Sequence, residues 1–258
     1  MSNSPLVNYI KLSPNYTQGR VSIIGVAIHC VVGQCSVETL GNVFAQSSKQ
    51  ASSNYGIGSD GRIGLYVSES NRSWCTSSSY VDNRVITIEC ASDTTAPYAV
   101  NDKVYASLIK LCADICKRNG IKKLVWSEDK AKRKAFADGC NMQVHRDWAN
   151  KSCPGDYLYS RMQAIADAVN AILNGDPVPD PEPVVQTVSV KATVLKNDSE
   201  GSAVRKLQIL LNGLGFNCGS VDGDFGAKTL AAVKSFQTHN QLDNDGIVGK
   251  KTWEALIG

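Results

Sequence analysis

The chain has 258 residues, of which 43% are hydrophobic and 20% charged, and its 27 Lys and Arg against 24 Asp and Glu leave a formal charge of +3. That balance specifies a folded chain rather than a disordered one, and so small a charge with no clustered basic face excludes nucleic acid as a partner. No run approaches the roughly 18 apolar residues of a membrane helix, and residues 1–10 show neither a basic leader nor an apolar core, so synthesis in the cytoplasm without a signal peptide is expected.

Taken in chain order, Ile23–His29 is a short β-branched run of the kind that forms a buried strand. Asn54–Gly58 and Ile63–Val67 flank Asp60-Gly61, which reads as a hairpin with an Asp-Gly turn. Arg84–Glu89 is a second buried strand. Val104, Leu108, Leu111, Cys112 and Ile115 recur at helical spacing, and Gly120 follows as a stop signal. Lys130, Lys132, Arg133 and Lys134 lack interleaved aromatics and read as a solvated helix face. A further helix is expected from Tyr157 to Leu173, with Leu158, Met162, Ile165 and Val169 on one face. Strands alternating with helices make residues 1–174 an α/β domain, a mixed central sheet flanked by helices.

The composition then breaks. Pro177, Pro179, Pro181 and Pro183 alternate with acidic and small residues, so 175–188 is expected to be an extended spacer. In residues 189–258, Asp-Gly-x-x-Gly-x-x-Thr occurs at Asp222–Thr229 and again at Asp245–Thr252, offset by 23 residues. The Asp and glycines suit a tight turn, and each Thr falls in the first turn of a helix. With Val204, Leu207, Leu210 and Leu211 forming another helical face, this part reads as a small all-α three-helix domain with nothing catalytic in it.

Nine cysteines are scattered without the spacing of a disulfide framework, which favours free thiols and metal ligands. Cys112 and Cys116 lie on the apolar helix face and read as core. Histidine is scarce, three in all, with only His29 and His145 before the spacer. His29 closes an apolar strand, and His145 precedes Cys153-Pro-Gly by 8 residues. A catalytic zinc needs three protein ligands and one open position. Two imidazoles and a thiolate would satisfy that. The residues alone favour the plain reading, a core histidine and a small buried cysteine.

Four segments together carry a resemblance: Ala27–Cys30, Ala51–Gly61, Asp82–Glu89 and His145–Gly155. In this order they resemble the type 2 N-acetylmuramoyl-L-alanine amidases, which share the fold of peptidoglycan-recognition proteins. The resemblance spans residues 20–174. It implies one Zn²⁺ held by His29, His145 and Cys153, with Glu89 as catalytic carboxylate and Lys151 as the cation facing the carbonyl oxygen. Ser53 stands where some relatives place a tyrosine base, and Cys75 where many have a histidine. Asn54 and Trp74 are the expected groove-lining residues. The C-terminal part resembles peptidoglycan-binding modules, with the Phe-Gln pair at Phe236-Gln237. The combination is similar to phage endolysins and implies bacterial peptidoglycan as partner, reached after release from the cell. Two alternatives stay open at this point: a non-catalytic binding module, against which retention of Cys153 argues, and a thiol peptidase using Cys30 or Cys153.

Overall fold

The computed structural model describes residues 2–177 and 194–257. The chain divides into two units, Met1–Val184 and Val185–Gly258. Most of the expected spacer and the first residues of the expected C-terminal domain, 178–193, lie outside the described residues.

The first unit contains β1 (Tyr9–Ile10), β2 (Tyr16–Thr17), β3 (Gly25–Cys30), α1 (Val37–Phe44), β4 (Tyr55–Ile57), β5 (Ile63–Leu65), β6 (Arg72–Ser73), α2 (Ser79–Asp82) and β7 (Val85–Cys90). There follow α3 (Asp102–Arg118), α4 (Lys130–Ala135), β8 (Met142–Val144), α5 (Gly155–Tyr159) and α6 (Met162–Asn174). Six strands form one sheet in the order β1-β5-β4-β7-β3-β8, and β2 pairs with β6 separately. Only β4–β5, the expected hairpin, is antiparallel within the large sheet; its other pairs are parallel.

Strand alternation sorts the sheet's two faces. Val26, Ile28 and Cys30 of β3, Ile86, Ile88 and Cys90 of β7, and Met142 and Val144 of β8 join one core with Leu108, Leu111 and Ile115 of α3 and Ile165 and Val169 of α6. The intervening residues Ala27 and Val85 pack instead with Val81 of α2, under Phe136 and Trp148. Both central strands are therefore covered on both sides, which is why they read as continuous apolar runs. Local signals agree with the boundaries. Ser36 caps α1 through Thr39 N, and Asn101 caps α3 through Val104 N.

Two expectations are corrected. The helix expected over 157–173 is broken at Ser160-Arg161. There the Tyr157 carbonyl accepts from Ser160 Oγ at 3.2 Å and Arg161 Nη1 at 3.1 Å, and the Arg161 guanidinium lies 3.7 Å from the Tyr157 ring. Side chains have taken over the carbonyl that a continuous helix would use. The basic run is not wholly solvated either. Lys130, Lys132 and Lys134 are exposed, but Arg133 is only 1% exposed. Its Nε and Nη2 donate to the two Asp147 carboxylate oxygens at 2.6 and 2.8 Å, and it lies 4.4 Å from the Trp126 ring.

The second unit has three helices among the described residues, α7 (Ser202–Gly213), α8 (Ala227–His239) and α9 (Lys250–Ile257), around Leu207, Leu211, Phe225, Val233, Phe236 and Trp253. Its two Asp-Gly turns are built alike. Gln208 Nε2 donates to Asp222 Oδ1 at 2.8 Å, to the Asp224 carbonyl at 3.0 Å and to Thr229 Oγ1 at 3.1 Å, while its Oε1 accepts from Gly223 N at 2.9 Å. Gln237 makes the same set with Asp245, Ile247, Thr252 and Gly246. A buried glutamine amide thus holds each turn closed.

Candidate functional site

Three parallel neighbours, β8, β3 and β7, bring their C-terminal ends to one level. His29 is in register with Glu89, and Ile28 with Val144, the residue before His145. His29 and Glu89 share the face of Ala27 and Val85, away from the α3–α6 core. One ligand atom each of His29, His145 and Cys153 lies within 4.8 Å of the others. Cys153 Sγ is 3.4 Å from His29 Nδ1, and the two imidazole centroids are 5.2 Å apart. A second group, His29, Cys75 and Glu89, meets the same spacing, with Glu89 Oε1 4.0 Å from His29 Nδ1.

The segment from His145 to Cys153 is closed by its own hydrogen bonds. Residues His145–Asp147 form a 3-10 turn, the Trp148 and Ala149 amides donate to the His145 carbonyl, and Arg146 N donates to the Cys153 carbonyl at 3.1 Å. Asp147 is the partner of buried Arg133, so this turn is tied to α4. Gly155 is needed where it stands. At φ +81° a Cβ would lie 2.8 Å from Tyr98 Cβ and 2.9 Å from the Pro97 carbonyl oxygen.

The electrostatics suit a cation. Burial, with a smaller contribution from His145, drives the fully buried His29 down to about 3. Burial and then the Lys151 charge lower His145. Both imidazoles are therefore neutral at neutral pH, the form that binds metal. The neighbouring Cys30 thiol and burial hold the Cys153 thiol above its ordinary range, a preference that a bound divalent cation reverses. Cys30 N also points at Cys153 Sγ, 3.4 Å away, ready to favour a thiolate. His29 Nε2 and Glu89 Oε2 are buried with no hydrogen-bond partner. Orphaned polar atoms of this kind call for an explanation, and a donor set of two neutral nitrogens and one sulfur fits a thiophilic divalent ion. Burial, with a lesser effect of Cys30, pushes the Glu89 carboxyl up to about 8.

The other expected residues fall in different places. Lys151 is exposed, with its charge felt at His145. Trp74 is half-buried, and its indole donates to Thr17 Oγ1 at 3.0 Å. Asn54 is a correction: it is fully buried and lines no groove. Its Oδ1 accepts from Thr87 N and Arg20 Nη2, and its amide donates to the Val67 and Ser68 carbonyls, so it stitches strands together. Ser53 is likewise buried, 3.2 Å from Thr87 Oγ1. Cys75 Sγ lies 3.7 Å from Glu89 Oε1. Two contributors escaped the sequence reading. Ser77 Oγ sits 2.9 Å from His145 Nε2, and Arg133 anchors the turn that carries His145. Nothing local announces the first, because the pair is 68 residues apart.

Two family models match the chain, "N-acetylmuramoyl-L-alanine amidase" over residues 18–156 and "Putative peptidoglycan binding domain" over residues 200–256. A probable N-acetylmuramoyl-L-alanine amidase of Bacillus licheniformis is 30% identical over 162 residues, covering 61% of this chain and 41% of that protein. An uncharacterized protein of Kitasatospora aureofaciens is 49% identical over 69 residues, 26% of this chain and 58% of its own length. A solved mutant endolysin from Bacillus subtilis aligns with 63% of this chain and 99% of its own at 14% identity and a TM-score of 0.47. The chain spans only about half the length of the curated relatives it matches. With more than half of its residues matched by the first model, the chain belongs to the N-acetylmuramoyl-L-alanine amidase family.

Proposed function

We propose that this protein hydrolyses the amide bond between the lactyl group of N-acetylmuramic acid and L-alanine in bacterial peptidoglycan, using one Zn²⁺ held by His29, His145 and Cys153. The observation that carries the reading is the convergence of those three donors within 4.8 Å, His29 and His145 at the ends of adjacent strands and Cys153 in the turn before α5. Zinc at such donors supplies Lewis-acid polarisation of a carbonyl and lowers the pKa of water.

The chain's own residues supply the rest. Glu89, whose carboxyl a divalent cation at the neighbouring donors would return to its ionised form, accepts a proton from the attacking water and returns it to the departing amine. Cys75 Sγ faces Glu89 Oε1 at 3.7 Å. The Lys151 ammonium offsets negative charge on the carbonyl oxygen of the tetrahedral intermediate. Ser77 and the Arg133–Asp147 pair orient His145. The C-terminal unit grips the cell wall and keeps the catalytic unit near its substrate. No described helix is long and apolar enough to cross a membrane, and the wall is reached from the cytoplasm after release.

Metal analysis of the purified chain tests this directly. One equivalent of zinc is expected, and His29→Ala, His145→Ala and Cys153→Ser are each expected to lose it. Digested cell walls should gain new N-terminal L-alanine and no new reducing sugar ends. Full metal content in all three variants would sink the ligand assignment. Activity that survives chelation but not thiol alkylation would make the protein a thiol peptidase instead.

A further inference from the structure

We infer that the aromatic face formed by Tyr80, Phe136 and Trp148, beside His145, is a stacking platform for the sugar rings of a glycan strand. This rests on the amide cleavage proposed above and adds the subsite that would hold the other half of the substrate.

The three rings form one surface. Tyr80 is 46% exposed, its centroid 6.0 Å from that of Phe136 at an interplanar angle of 62° and 6.2 Å from that of Trp148 at 40°, so the rings form a stepped rather than a flat face. Phe136 and Trp148 are half-buried over Ala27, Val81 and Val85. The patch therefore covers the same sheet face that carries His29 and Glu89, two and four residues further along their strands. Two short segments join it to the metal ligands. Ser77, which contacts His145 Nε2 at 2.9 Å, precedes Tyr80 by three residues, and the Trp148 amide donates to the His145 carbonyl at 2.9 Å. Phe136 holds φ 52°, ψ 32°, a left-handed backbone that a bulky residue rarely adopts.

Chemistry names the occupant. The scissile amide hangs from a lactyl ether on a pyranose, so a sugar ring must lie one lactyl unit from the reacting carbonyl. A pyranose offers apolar C–H faces and a rim of hydroxyl and acetamido groups. The patch offers the ring faces that its own cations leave free: the Arg84 guanidinium lies over one face of Tyr80, 4.0 Å from its centroid, and Lys134 Nζ over one face of Trp148, 4.8 Å from its centroid. An apolar, aromatic wall with a few placed polar groups is the usual make-up of a small-ligand site.

The test uses the full chain and a peptide-free, β-1,4-linked tetrasaccharide of alternating N-acetylglucosamine and N-acetylmuramic acid. The tetrasaccharide is expected to inhibit competitively the appearance of new N-terminal L-alanine and to change tryptophan emission on binding. Tyr80→Ala should raise the inhibition constant about tenfold with zinc content unchanged. Tyr80→Leu keeps apolar cover over Val81 and Val85 without a ring, carries the same expectation, and decides the matter if the alanine variant does not fold. Equal inhibition constants in wild type and Tyr80→Leu would overturn the platform. If the wild type generates no new N-terminal L-alanine at all, the proposed reaction fails, and emission titrations decide the platform alone: a response retained unchanged in Tyr80→Leu overturns it, and a response lost supports it.

Discussion

Glu89 and Asn54 are both polar, both on the central sheet, and do opposite things. Glu89, next to the end of its strand, turns Oε1 toward His29 and Cys75 and leaves Oε2 buried without a partner. An amide cannot accept a proton, so Glu89→Gln should keep zinc and lower turnover by roughly two to three orders of magnitude. Metal content and initial rates on cell walls check this, and wild-type rates would move the base elsewhere. Asn54, by contrast, spends all its hydrogen-bonding capacity inside the fold. Asn54→Ala should destabilise the first unit by about 2 kcal/mol, because the Thr87 amide and two carbonyls lose a partner. Denaturant unfolding would show it, while KM should stay near the wild-type value. From the sequence, an Asn opening a hairpin next to an aligned catalytic position looks like a groove residue. Burial on both faces of the sheet is what removes it from the groove.

Among elements, α4 and the turn after β8 depend on one another. Arg133 and Asp147, 1% and 2% exposed at their side chains, form a two-point ion pair. Arg133→Met leaves Asp147 buried and unpaired, which should cost about 3–5 kcal/mol and weaken zinc retention through the His145 turn. The double variant Arg133→Met, Asp147→Leu should recover most of the stability in denaturant melts; failure to recover it would mean the pair does more than neutralise itself. In the second unit, the Asp-Gly turns carry a pH signature. The Asp224 amide and the Gln208 side chain hold Asp222 below the usual carboxylate range, and the Ile247 amide and Gln237 do so for Asp245. A carboxyl whose folded pKa is depressed stabilises the fold above its unfolded value, near 3.9, and the contribution is lost as pH falls further. Calorimetry of the second unit should therefore show its melting temperature falling below about pH 4, and Gln237→Leu should shrink that fall. The repeat of Asp, Gly and Thr was plain in the sequence. Gln208 as the counterpart of Gln237 was not, because the two glutamines are 29 residues apart while the turns repeat every 23.

At the scale of the whole molecule, the proposed function divides the work between the two units. Every proposed catalytic residue lies in Met1–Val184, while Val185–Gly258 has its own apolar core and two glutamine-locked turns. Tethering a wall-binding unit to a catalytic one raises the local concentration of the latter without any new contact. Residues 1–174 alone should cleave soluble muropeptides as the full chain does, yet lyse intact walls more slowly. Residues 189–258 should sediment with insoluble peptidoglycan without cleaving it. A C-terminal fragment left in the supernatant, together with undiminished lysis by the truncated enzyme, would remove the targeting role.

The amino-acid pattern by itself determined the strand–helix alternation, the hairpin, the Asp-Gly repeat and the scarcity of histidine that singled out His29 and His145. These are local or compositional properties, set by side-chain period, turn chemistry and count. Only the tertiary structure decided that His29, His145, Cys153 and Glu89 share one end of three adjacent strands, because parallel pairing joins segments tens of residues apart. It also decided that Arg133 leaves a basic run to be buried, that Asn54 is spent on the sheet, and that Tyr80, Phe136 and Trp148 meet as one face. Each of those outcomes depends on which groups are removed from water together. That is a property of packing, and no spacing along the chain encodes it.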